Sequence, residues 1–211
     1  MDKKKQPFGI GADELCKVVR LLINYSPISR REIAANARIS FAKASKIICL
    51  LEDLEIAESN GTRRTHGRPE RLFSPTDRLG LAVIELGELE CASYATDLKG
   101  ETVSKIPYGI DMGISPEQNV RRLARELTLR KDKPDMLLAV AVIPKNPCVL
   151  GTARNVLSLP DGVCGGIFSS FDKKAQRSLR AMLAKSVCEH IFEEAQKTNI
   201  TPLPKAFLCE N

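Results

Sequence analysis

The sequence has no apolar stretch near the roughly 18–20 residues of a membrane span. The longest run, Met136 to Ile143, has eight residues and suits a buried strand. Met1-Asp-Lys-Lys-Lys-Gln-Pro7 is followed by no long apolar segment, so no signal peptide is expected. The seven cysteines are an odd number, scattered, and contain no C-x-x-C. That spacing predicts reduced thiols in a cytoplasmic protein, without a disulfide framework or zinc site. The chain has two histidines, His66 and His190, too few and too far apart to suggest a metal-ligand set. Neither a metal nor a cofactor is expected. What is present is an ordinary soluble balance, 43% hydrophobic and 27% charged over 211 residues, sufficient for one large domain or two small ones.

The charge is uneven. Residues 1–78 hold 15 Lys and Arg against 10 Asp and Glu, whereas residues 79–211 hold 17 against 16. Nearly all of the net +6 therefore sits in the first third. A basic module joined to a neutral one predicts an anion-binding head, residues 1–78, on a different body, residues 79–211.

Within the head, Leu15, Val18, Val19 and Leu22 recur at helical spacing and predict a helix from Asp13 to Ile23. Ser29-Arg-Arg-Glu32 has the form of a capping box, which starts a second helix at Arg30. A turn through Arg38 and Ile39 leads to Ser40, a good N-cap. The third helix then buries Ala44, Ile47, Ile48 and Leu51 and exposes Lys43, Ser45 and Lys46. Two short helices joined by a tight turn, the second basic near its start, form a helix-turn-helix pattern. Small Ala42 and Ala44 permit close approach to a groove, where Lys43, Ser45 and Lys46 reach phosphates or base edges.

Ile56 to Ser59 reads as a strand, Asn60-Gly61 as a turn, and Glu70 to Ser74 as the returning strand. Between them crowd Arg63, Arg64, His66, Arg68 and Arg71, the composition of a cationic wing. Gly67-Arg68-Pro69 places an arginine between a residue that allows close approach and one that keeps the chain extended, a setting suited to a narrow minor groove. His66 reads as a solvated loop residue. The expected double-stranded DNA contacts are Arg30, Arg31, Ser40, Lys43, Ser45, Lys46, Arg63, Arg64, His66, Gly67, Arg68 and Arg71.

The body reads as strands at 81–86, 90–97 and 101–108, and a helix opened by Ser115-Pro-Glu-Gln118. A strand at 136–143, a loop-rich stretch at 144–166, a long helix at 173–197 and a short strand at 205–209 follow. The order βββαβαβ predicts an α/β class with a mixed sheet, so the whole chain combines a helical, winged head with an α/β body.

Together these residues resemble the ROK family (repressors, open reading frames and sugar kinases), in its repressor branch. The resemblance is carried by Ile28-Ser-Arg-Arg-Glu-Ile-Ala34, by Ile39-Ser40 with Ser45-Lys46-Ile47-Ile48, and by Gly67-Arg-Pro-Glu-Arg-Leu72. Leu79-Gly-Leu-Ala-Val-Ile-Glu-Leu-Gly87 and Asp97-Leu-Lys-Gly-Glu101 extend it into the body. It implies a winged helix-turn-helix head that binds operators as a homodimer or larger assembly. It also implies an actin-like, ribonuclease H-like body that often senses a sugar. The departures imply a body without kinase activity. The family's phosphate loop is replaced by Glu85-Leu-Gly-Glu-Leu-Glu90, whose carboxylates oppose a polyphosphate. Leu208-Cys-Glu-Asn211 resembles the Glu-Asn pair that precedes the family's catalytic Asp, so the chain is expected to stop after the first lobe. Lys43-Ala44 replaces the usual Thr-Val, and Glu55 stands where a helix-ending glycine is usual. The expectation is thus a non-enzymatic transcriptional regulator, a repressor of the ROK type. The alternative is a degenerate sugar kinase, or a sugar-binding or assembly fragment, with a vestigial head.

Overall fold

The computed structural model describes residues 10–64, 69–87, 90–98, 101–109, 113–114, 118, 122, 137–145 and 163–197. The chain is mixed α/β. Helix α1, Ala12–Tyr25, buries Leu15, Val18, Val19, Leu22 and Ile23. Its first turn is closed by Glu14, whose carboxylate accepts the Gly11 N–H at 3.3 Å. It ends before Pro27, a residue that disfavours helical backbone at its predecessor. A two-residue strand β1, Ile28–Ser29, leads into α2, Arg30–Ala37.

The expected capping box is formed: the Glu32 N–H donates to Ser29 Oγ at 3.3 Å, and the Ser29 N–H to Glu32 Oε2 at 2.9 Å. Arg38 closes α2 in the left-handed region at φ 56, with Ile39 N–H returning to the Ala34 carbonyl at 3.1 Å. Helix α3, Phe41–Asp53, starts on Ser40, whose hydroxyl accepts the Lys43 N–H at 3.2 Å. It buries Ala44, Ile47, Ile48, Leu50 and Leu51. Glu55 ends it at φ 54, and the Ile56 N–H reaches back to the Leu51 carbonyl at 2.8 Å. The position read as a departure from glycine therefore does hold a left-handed residue, at a steric cost of roughly 1–2 kcal/mol.

Strands β2, Ala57–Arg63, and β3, Glu70–Pro75, pair antiparallel, and β1 joins the far side of β3 to give the order β1-β3-β2. Ile28 lies opposite Phe73, Ser59 opposite Phe73 on the other side, and Arg63 opposite Glu70. One expectation is corrected here. Asn60-Gly61 does not turn the hairpin. The register shifts between Ser59 and Thr62, so the pair forms a bulge and the strand runs on to Arg63. Gly61 supplies the positive φ of 82 that such a bulge uses, and the hairpin is longer than the sequence pattern suggested.

The body sheet has the order β6-β5-β4-β7-β8. Its strands are β4 Leu79–Leu86, β5 Glu90–Thr96, β6 Thr102–Gly109, β7 Leu137–Pro144 and β8 Val163–Ile167. The first three form an antiparallel meander, while β7 and β8 run parallel to β4. The near-continuous burial of β4 is what a central strand covered on both faces requires.

Strand β8 corrects the loop reading of residues 163–166, while residues 146–162 lie outside the described residues. Val163-Cys-Gly-Gly-Ile167 carries two glycines, a loop signal by composition. In the structure, a Cβ on Gly166 would stand 3.0 Å from the Phe168 ring and 3.3 Å from Met182, so the missing side chain lets the neighbouring helix approach. The helix expected from Ser115, the short strand at 205–209 and the Glu-Asn pair at the chain's end lie outside the described residues, apart from residues 118 and 122.

Helix α4, Lys173–Lys197, buries Leu179, Leu183, Val187 and Ile191, which recur every four residues. It packs on β7, β8 and α1. The apolar core is consequently continuous from the head into the body. At the α1–α4 contact the Cys16 thiol lies within hydrogen-bonding reach of Cys188, and burial pushes the Cys188 thiol upward.

Candidate nucleic-acid interface

The first turns of α3 carry Phe41, Ala42, Lys43 and Lys46, all exposed. Ser40 is exposed too, but its hydroxyl is committed to the cap. Around these residues the structure shows carboxylates that charge counting does not place. Lys43 Nζ lies 2.6 Å from Glu14 on α1. That contact, with the Gly11 N–H, holds the Glu14 carboxyl below its ordinary value against the opposing effect of desolvation.

A second cluster joins α2 to the hairpin. Glu70 takes Arg31 at 3.2 Å and Arg63 at 3.6 Å, and Arg63 also pairs with Glu32 at 2.9 Å. Glu32 works with both oxygens: Oε2 caps α2 and Oε1 holds the hairpin's arginine. Its carboxyl is lowered first by the Ser29 N–H and then by Arg63, while Glu32 raises the Arg63 guanidinium. With their arginines in solvent, these pairs are each worth little in stability. Their consequence is geometric, since they hold β2 and β3 beside α2.

The third cluster is centred on Phe73, fully buried in β3. Arg30 lies over the ring at 4.8 Å and Arg71 at 5.5 Å, distances at which a guanidinium is attracted to the ring face. Glu52 on α3 pairs with both, at 3.2 Å and 3.5 Å. Arg71 Nε also donates to Ser59 Oγ at 3.3 Å.

Of the twelve expected contacts, Arg31, Ser40, Lys43, Lys46, Arg63, Arg64 and Arg71 are exposed. The structure turns two others inward. The Arg30 side chain is only 19% exposed and is spent on Phe73, Glu52 and Cys49. Ser45 lies at the margin of the buried stripe, and its hydroxyl is shut off from solvent without a hydrogen-bond partner. His66, Gly67 and Arg68 lie outside the described residues. Charge and periodicity overlooked Phe41 and the four partner carboxylates Glu14, Glu32, Glu52 and Glu70. Glu32 had a local signal only as a cap, and Glu70 only through its place beside the arginine-rich stretch.

In the body, Glu85 does not stand as an unopposed charge. Lys145 Nζ lies 2.8 Å from its Oε2, and the Tyr94 hydroxyl donates to the same oxygen at 3.2 Å. Glu85 in turn raises the Lys145 ammonium. Among the described residues no group of three His, Cys, Asp or Glu side chains could hold a metal ion, and no helix is long and apolar enough to cross a membrane.

No family model matches the chain, and no curated protein matches it. Among solved structures it is similar to a crystal structure of a ROK family transcriptional regulator, described as a homologue of the E. coli MLC protein. The identity is 17% and the TM-score 0.45, over 74% of this chain and 45% of that one. The chain thus spans less than half the length of that regulator.

Proposed function

We propose that this chain is a DNA-binding transcriptional regulator whose residues 1–78 form a winged helix-turn-helix. In this reading α3 is the recognition helix, and the β2–β3 hairpin is the wing. The observation that carries the reading is the exposed start of α3, with Lys43 and Lys46, in a head whose hairpin carries exposed Arg63 and Arg64 and is tied to α2 through Arg63 and Glu32. The order α1-β1-α2-α3-β2-β3, with β1 completing the hairpin sheet, supports it. The left-handed Arg38 supplies the tight turn that a recognition helix needs after its partner helix.

The reading extends to a repressor of the ROK type, acting in the cytoplasm as a homodimer whose paired heads meet paired half-sites. Residues 79–211 form an actin-like lobe without kinase activity, and a sugar effector is compatible with it. The test uses the full chain on duplex DNA. Wild type binds, and a Lys43→Ala/Lys46→Ala variant with an unchanged melting temperature binds at least tenfold more weakly, a loss of about 1.4 kcal/mol or more for the two contacts together. Equal binding by the two proteins refutes the assignment of α3.

A further inference from the structure

Phe41 is the first residue of α3 and is 54% exposed. Among the described residues, Tyr25 is the other large hydrophobic side chain exposed to that degree. A single exposed aromatic is ordinary on a protein surface. What distinguishes Phe41 is its place in the exposed first turn of α3, with Ala42 and Lys43 next to it and Lys46 one turn on.

Bases are read by paired hydrogen bonds chiefly through Arg, Lys, Asn, Gln, Asp and Glu. In α3 no Arg, Asn or Gln occurs, and its only carboxylates, Glu52 and Asp53, are its last two residues. Glu52 is committed to Arg30 and Arg71. The Ser45 hydroxyl is shut away, and Lys43 is held by Glu14 at 2.6 Å. Besides its lysines, α3 therefore offers a groove one ring and one methyl group. The major groove has one apolar feature, the C5-methyl of thymine, and Phe and Ala are among the side chains that meet it.

From this we infer that Phe41 is a specificity-determining residue: its ring packs on a thymine methyl in the major groove, with Ala42 beside it. The chain then recognises thymine by its methyl and not by a hydrogen-bond pattern. The inference rests on the reading of α3 as the recognition helix.

The experiment uses the full chain and a duplex enriched by it from a randomised library. That duplex is synthesised twice, once with thymine and once with deoxyuridine, which pairs identically but lacks the methyl. Wild type is expected to bind the deoxyuridine form about fourfold more weakly for each methyl contacted, the value of one buried carbon group. Phe41→Ala is expected to bind both forms equally, and Phe41→Leu to keep part of the difference. Equal binding of the two forms by wild type overturns the inference, as does undiminished discrimination by Phe41→Ala. In both cases DNA binding itself stands. If no duplex is enriched, the assignment of α3 falls and the inference falls with it. The comparison of the two duplexes with wild type alone needs no variant to fold.

Discussion

Replacing Glu14 by glutamine tests whether the carboxylates around α3 restrain its cations. Glu14 Oε1 lies 2.6 Å from Lys43 Nζ, and the two side chains are 24% and 51% exposed. At such exposure the pair contributes about 0.2–1 kcal/mol. The other oxygen accepts the Gly11 N–H at 3.3 Å, a bond that a glutamine carbonyl can also accept. Glu14→Gln therefore removes the charge and keeps the cap, so the loss of folding stability stays below about 1 kcal/mol. DNA binding moves the other way. Lys43 no longer gives up a partner on reaching a phosphate, and affinity rises about 1.5- to 5-fold, the same energy read as a binding constant. Fluorescence anisotropy on a labelled duplex at fixed salt measures the affinity, and urea unfolding measures the stability. In a Lys43→Ala background the gain should shrink to the small effect of removing a distant negative charge. Weaker binding by Glu14→Gln refutes the reasoning, as does the same gain with and without Lys43.

Three further outcomes follow from the geometry. Glu55→Gly relieves a left-handed side chain and should stabilise the fold by about 0.5–1 kcal/mol despite the extra freedom of the unfolded chain, as a rise in urea midpoint; a fall contradicts the strain. Gly166→Ala places a Cβ 3.0 Å from the Phe168 ring and should cost about 1–3 kcal/mol, also read by urea unfolding; an unchanged midpoint means the helix shifts without cost. Glu14 and Glu32 are both held below the ordinary glutamate value of 4.5, so their contribution is fully present above that pH and is lost as pH falls through the lowered folded values. Glu32→Gln should therefore flatten the stability–pH curve on the acid side of that value, and an unaltered curve would remove Glu32 from the account.

The caps were legible because they depend on near neighbours. Ser29 with Glu32 and Ser40 with the Lys43 N–H sit three residues apart, and both are made as expected. The apolar faces of α1 and α3 were legible for the same reason, whereas the awkward place of Glu55 was legible only through the family resemblance. Strand β8 was not, because its glycines are explained by Met182 and Phe168, which no local pattern brings to Gly166. Asn60-Gly61 misled in the same way: a left-handed glycine serves a bulge as well as a turn, and the choice was made by Arg63 pairing across to Glu70. The interface shows the largest gap. A count of cations found Lys43, Arg63 and Arg71, but their partners Glu14, Glu32 and Glu52 come from other elements, 19 to 31 positions away. Phe41 was missed because periodicity sorts apolar residues into cores and has no place for one facing outward.

The central claim is that the basic head engages the phosphates of duplex DNA. The measurement that meets it most directly is the affinity of the full chain for one duplex across a range of salt concentrations. If about five cations neutralise phosphates, log K falls against log[salt] with a slope of about −4 to −5. A slope near zero contradicts the account, whatever the affinity at any one salt concentration.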